Sequence, residues 1–189
     1  MKLDLGCGLK KKKGFTGLDR LALPGVDLVC DLDGEPIPLP DDTVDEVHTM
    51  HFLEHTADLL AVMQEVWRVC RDGARVSIVV PYFNSIGAFR DPTHRRFFTW
   101  ETFEHFTDSG NVPSFYAEAR FRIVRRRIRF WPANSNWKGH LRFGYLWPLQ
   151  WLVNLSPYFY EHSLLRGVAA CELQIELAVV KKPGAGGRG

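Results

Sequence analysis

At 189 residues the chain is long enough for one full domain and too short for two of ordinary size. Its apolar fraction of 46% and aromatic fraction of 13% suit a packed core and exclude a disordered chain. A formal net charge of +2 makes no global electrostatic case for nucleic acid, and no uninterrupted apolar run reaches the ~18 residues that a bilayer span needs.

The chain opens on a short apolar strand carrying Leu3 and Leu5, which runs into Gly6-Cys7-Gly8 beside an acid, Asp4. Glycines at that point let the backbone turn sharply and approach a ligand closely, because no Cβ intervenes. A dinucleotide fingerprint would need a third glycine where Lys11 stands, and Asp4 would repel a pyrophosphate while attracting a cationic amine. The four cysteines, Cys7, Cys30, Cys70 and Cys171, form no C-x-x-C pair, which argues against structural zinc. With a folding strand where a signal peptide would stand, they read as reduced thiols in a cytoplasmic protein.

Asp4-Leu5-Gly6-Cys7-Gly8 has the D-x-G-x-G form of the first motif of the class I S-adenosylmethionine-dependent methyltransferases, which the sequence resembles at these residues. The resemblance implies S-adenosyl-L-methionine as cofactor, with Asp4, Gly6, Cys7 and Gly8 at its binding turn. The lysine run that follows reads as a solvated loop. A second strand, residues 15–18, ends on Asp19, where the resembled family places an acid on the ribose hydroxyls. The connection between these strands is too short for an ordinary crossover helix. A third strand over residues 26–30 closes on Asp31 and Leu32, an acid and an apolar residue suited to the exocyclic amine and the face of an adenine.

Pro36, Pro38 and Pro40 then fix an extended loop, and a fourth strand is expected over residues 44–50. The Pro-Leu-Pro-Asp-Asp loop, the Val-Asp-Glu-Val strand and the following Leu-Glu-His resemble the small type-11 methyltransferases. Ligands of a doubly wound sheet sit outside the carboxyl ends of its strands, which puts His51, Glu54 and His55 near the transferred methyl. Residues 58–71 form the clearest helix, with Leu59, Leu60, Met63, Val66, Trp67 and Cys70 on one face and Gly73 as its stop. A strand over residues 75–80 follows.

Asp91-Pro92-Thr93-His94 lies in a loop expected over the cofactor edge of the sheet, a candidate substrate lid. Thr99 reads as the N-cap of a short helix through Phe106, stopped near Gly110. Residues 121–130 form a strand whose arginines fall on both faces. An aromatic-rich insertion over residues 131–168 carries Trp131, Trp137, Trp147 and Trp151, and Pro148 sits near the start of a short helix. It is expected to cover the substrate cleft or form a homodimer or partner contact; membrane-surface docking, with Lys138 and Arg142 nearby, is the alternative. Residues 172–180 alternate as a last strand.

The whole predicts one α/β domain over residues 1–182, with a doubly wound, mainly parallel, Rossmann-like methyltransferase sheet, and a flexible tail over residues 183–189. The expected activity is in-line methyl transfer to a small-molecule or lipid- or sugar-linked acceptor. A non-catalytic S-adenosylmethionine-binding partner subunit is the rival reading. The cofactor set is Asp4, Gly6, Cys7, Gly8, Asp19, Asp31, Leu32 and His51. His55, His94 and His51 are the candidate bases. Glu54, His55 and His94 have the residue types of metal ligands but no paired histidine spacing, so no metal is expected.

Overall fold

Seven strands form one sheet in the computed structural model, which describes residues 1–108, 116–133 and 144–181. The central strand β1 (Lys2–Leu5) lies between β2 (Thr16–Asp19) and β4 (Val44–Met50), with Leu3 and Leu5 essentially removed from solvent. With β3 (Leu28–Val29), β5 (Cys70–Pro81), β6 (Phe121–Arg129) and β7 (Glu172–Val179), the order is β3-β2-β1-β4-β5-β7-β6. Neighbouring strands are parallel from β3 through β5, and β7 runs antiparallel to both its neighbours. The chain thus winds outward from β1 to β3 and then outward again through β4 and β5, the two-way winding of the Rossmann-like sheet expected from the sequence.

Register brings the first motif and the fourth strand together. Leu5 is opposite Leu18 on one side and Thr49 on the other. Gly6, Asp19 and the residues after Met50 therefore leave the sheet at one edge, on either side of the point where strand order reverses. Such a switch point is where an open α/β sheet forms its crevice.

The expected shortening of the first crossover extends to the next two. Residues 6–15, 20–27 and 30–43 contain no helix, and of the crossovers between parallel strands only that from β4 to β5 carries one, α1 (Leu59–Val69). The Asp58 side chain caps it by accepting the Ala61 N–H at 3.0 Å, and Val62, Met63, Val66 and Val69 bury its apolar stripe. The helix ends earlier than its periodicity suggests. Cys70 is already extended and paired with Val44, so Gly73, at φ +74°, lies within β5 rather than at a helix terminus. There the register slips from Val44↔Cys70 to Glu46↔Arg75, and the glycine absorbs the resulting bulge.

The two faces of the sheet differ in kind. Leu3, Val47, Val76, Ile78, Leu173, Ile175 and Leu177 are buried in the hydrophobic core. On the opposite face strand alternation places His48, Ser77, Gln174, Glu176, Arg125 and Arg127, none of them buried. Arg126 points the other way, where its guanidinium meets Glu104 at 2.5 Å and lies 4.1 Å over the Trp100 ring.

Within the aromatic insertion, α2 being the short turn of helix at Ile86–Arg90, come α3 (Trp147–Leu155), with Pro148 in its first turn, and α4 (Pro157–His162). Asn154 donates to the Ile128 carbonyl at 2.8 Å and accepts its N–H at 2.9 Å, while Gln150 accepts from Phe130 N. The first of these helices therefore satisfies part of the outer edge of β6, which an unpaired strand would otherwise expose. Tyr160 stacks on Tyr82 and closes the core beneath them. Trp147, Trp151, Tyr158 and Phe159 face outward and are exposed. Thr99 does not cap a helix: its N–H donates to Thr102 Oγ1, and a 3₁₀ turn begins at Thr102. Gly110, Trp137, Lys138, Arg142 and the tail 183–189 lie outside the described residues. Among the described residues no helix is long and apolar enough to cross a membrane.

Candidate active site

The crevice at the switch point is shaped by its glycine. Gly6 adopts φ +64°, and a Cβ built on it would stand 2.5 Å from the Phe52 side chain. Only glycine satisfies both the backbone conformation and that approach. Asp19 organises the same turn: one carboxylate oxygen accepts Gly8 N–H at 2.9 Å and the other accepts Leu21 N–H at 3.0 Å. Asp31 remains exposed at the end of β3, with Leu32 buried beside it. Together, Gly6, Asp19, Asp31, Leu32 and His51 line one cavity of about 210 Å³.

Three residues of the expected cofactor set sit behind this cavity rather than in its wall. Asp4 is buried, and its carboxylate accepts the Lys12 N–H at 2.7 Å, which ties down the loop after β1. Gly8, at φ +50°, donates to Asp19. Cys7 is buried against Gly17, and burial followed by the charges of Asp4 and Asp19 pushes its thiol pKa upward. These residues hold the turn in shape.

The histidines converge one step further along the edge. His51 is a non-glycine residue at φ +55°, where it leaves β4 for the 3₁₀ turn Leu53–His55. Its ring bridges two acids, Nε2 to Glu172 Oε1 at 3.1 Å and Nδ1 to Glu54 Oε1 at 3.2 Å. Those hydrogen bonds, Glu172 first, push its pKa up to about 9, so it is an imidazolium at neutral pH and a poor base. Glu172 is the residue that sequence reasoning missed. It begins a strand more than a hundred positions away, and no local pattern links it to His51.

The Asp-Pro-Thr-His loop docks on the Leu-Glu-His turn. Arg95 N and Arg96 N both donate to the Glu54 carbonyl, and the Arg96 guanidinium reaches the carbonyls of Thr56 and Ala57. This brings His94 against His55, ring centroids 4.7 Å apart. His94 Nδ1–H donates to the Ala88 carbonyl at 3.0 Å. Thr93 Oγ1 donates to Asp91 and therefore accepts from His55 Nδ1, at 2.9 Å. His51, Glu54, His55 and His94 line a second cavity, of about 510 Å³. His51 and His55 line both cavities and so stand between them. No residue of α3 or α4 lines either one, whereas Pro132, at the start of the aromatic insertion, lines the second.

Residues 12–78 match the type-11 family model described as a methyltransferase domain, a segment that begins just after the glycine turn. Among solved structures, the chain is similar to an S-adenosylmethionine-dependent methyltransferase from Archaeoglobus fulgidus, at 18% identity and TM-score 0.59, over 94% of this chain and 85% of that one. It is likewise similar to the YcgJ protein from Bacillus subtilis, at 14% identity and TM-score 0.56, over 96% and 92% of the two chains. The [4+2]-cyclase SpnF aligns at 15% identity and TM-score 0.55, over 96% and 75%. No curated protein sequence matches the chain. The matched segment is similar to the methyltransferase-domain family, whose cofactor is S-adenosyl-L-methionine, and the fold is that of class I S-adenosylmethionine-dependent methyltransferases.

Proposed function

We propose that this chain transfers the methyl group of S-adenosylmethionine to a small-molecule or lipid- or sugar-linked acceptor. The observation that carries the reading is the adjacency of two cavities: a cleft at the switch point walled by Gly6, Asp19, Asp31 and Leu32, and a histidine-lined space that shares His51 and His55 with it. The cleft residues fit the cofactor's adenosine. A glycine that admits close approach, a carboxylate for a vicinal diol and an acid beside an apolar residue are the groups such a nucleoside calls for.

The cofactor supplies an activated methyl on a sulfonium, so the protein's task is alignment and exclusion of water. His51, held as a cation between Glu54 and Glu172, fixes the wall between the cavities. His55 and His94 keep their Nδ1 protons in fixed hydrogen bonds, which leaves the Nε2 lone pair of each able to receive a proton or a cation. Local site chemistry favours a small acceptor over a nucleic acid, since the place after β4 reads His51-Phe52-Leu53-Glu54 and carries no Asn- or Asp-Pro-Pro-Tyr run. Four unpaired cysteines support a cytoplasmic setting.

A second reading, an S-adenosylmethionine-binding subunit without transfer, is favoured by the three helix-free crossovers beside the cleft. Calorimetric titration of S-adenosylmethionine, with NADH as comparison, tests the cofactor. Binding of S-adenosylmethionine alone, weakened at least about tenfold in Asp19→Ala by loss of a charged acceptor, is expected. Absence of binding, or a preference for NADH, overturns the reading. Binding with no methyl transfer across an acceptor panel of alcohols, phenols, amines and thiols leaves the subunit reading.

A further inference from the structure

We infer that Glu54, His55 and His94 form a binding site for a divalent transition-metal ion at the acceptor side of the cleft. One donor atom from each of the three lies within 4.8 Å of the other two. In a tetrahedral site with ligand bonds of about 2.1 Å, donors stand roughly 3.4 Å apart, so a contraction of at most about 1.4 Å assembles the site. His94 Nε2 is already 4.0 Å from Glu54 Oε1.

The surroundings of the three side chains are those of ligands. A metal-binding histidine uses one nitrogen and donates the other N–H to a carbonyl or to an oxygen backed by a carboxylate. His94 does the first with Ala88, and His55 does the second through Thr93 and Asp91. Both tautomers therefore leave Nε2 as the free donor. Glu54 supplies the independent observation. Its side chain is 1% exposed, His51 occupies Oε1, and Oε2 is buried without a hydrogen-bond partner. A buried carboxylate oxygen left bare keeps its desolvation cost uncompensated, which a cation would recover.

The donor set selects the ion. Two imidazoles and one carboxylate suit Zn²⁺, Fe²⁺, Mn²⁺ or Co²⁺, whereas Mg²⁺ and Ca²⁺ favour oxygen-only sites. Three protein ligands leave coordination positions open, and all three line the larger cavity. Asp91 and Glu172 add carboxylates to that cavity and Arg90 a cation. The site itself stands on this geometry alone. That the open positions would hold an oxygen, nitrogen or sulfur atom of the methyl acceptor rests on the methyltransferase reading above.

The test is titration of the purified, chelator-treated full chain with Co²⁺, followed by visible absorption, with Zn²⁺ in competition and Mg²⁺ as comparison. The expected result is one Co²⁺ per chain with a ligand-field band, displaced by Zn²⁺ and not by Mg²⁺. His94→Ala, His55→Ala and Glu54→Gln should each weaken binding at least tenfold, and thermal unfolding should rise with Zn²⁺ in the parent chain but not in these variants. Because Glu54→Gln could perturb folding, Thr93→Val provides a variant on an exposed loop with all three ligands intact, expected to weaken Co²⁺ about tenfold through His55. Absence of stoichiometric uptake, or uptake unchanged in the two histidine variants, overturns the proposal. Calorimetry with S-adenosylmethionine on the same samples separates the two readings: cofactor binding without Co²⁺ uptake sinks the metal site alone, and Co²⁺ uptake without cofactor binding sinks the methyltransferase reading alone.

Discussion

Gly6 is the position where one added atom has the largest consequence. A methyl group there meets a left-handed backbone, which costs about 1–2 kcal/mol for a non-glycine residue, and a Phe52 contact of 2.5 Å that forces overpacking worth another 1–3 kcal/mol. Gly6→Ala should therefore lose at least about 2 kcal/mol of stability by urea denaturation and weaken S-adenosylmethionine binding in the same samples. A variant as stable as the parent would show that the turn relaxes without strain. His51, at φ +55°, carries a similar backbone cost without being glycine. Its two carboxylate partners are what hold it there.

At the scale of the element, α1 does more than cross between strands. Glu65 and Arg68, one turn apart, pin the proline loop: Glu65 accepts Ile37 N–H at 2.9 Å, and Arg68 donates to the carbonyls of Ile37 and Leu39 and to Asp41. The Arg68 hydrogen bonds, reinforced by Ile37 N–H and opposed by burial, hold the Glu65 carboxyl below its ordinary range. A carboxylate whose folded pKa is depressed contributes stability above its unfolded pKa and loses it as pH falls through the folded value. Urea denaturation from about pH 6 to about pH 3 should thus show a smaller acid loss in Glu65→Gln than in the parent, with the variant less stable at neutral pH. Equal pH slopes would assign the acid sensitivity elsewhere. The loop that Glu65 and Arg68 hold precedes β4, so the network also fixes the strand that delivers His51.

At the scale of the molecule, one hydrophobic core lies on one face of the sheet, while the other face presents His48, Gln174, Glu176 and a row of arginines. The cleft sits at the edge between these environments, walled by loops where helix-bearing crossovers would otherwise stand. A ligand that binds only the folded chain adds RT ln(1 + [L]/Kd), so S-adenosylmethionine at a hundred times its Kd should stabilise the protein by about 2.7 kcal/mol. The corresponding rise in the unfolding midpoint, measured over a cofactor series, should follow that logarithm. A midpoint independent of cofactor concentration would mean that the cleft does not bind it.

Elements whose cause is local are legible in the sequence alone. Alternation and apolar runs located β4, β6 and β7 almost to the residue, helical periodicity located α1, and the glycine turn marked the end of the first strand. The sequence also located Gly6, Asp19, Asp31, Leu32 and His51, because residues at strand ends share an edge whenever the sheet is parallel. It could not tell that Asp4 turns back to hold Lys12, since a carboxylate binds whichever N–H the folded loop offers first. Nor did it show that Cys70 would leave the helix for the sheet, because Val44 competes for it across the fold. Above all, spacing along the chain argued against pairing His55 with His94, and Glu172 carried no signal at all. Those partnerships arise only in the folded chain: the docking of one loop on Glu54 and the return of β7 beside β5 convert large separations along the chain into contacts of a few ångströms.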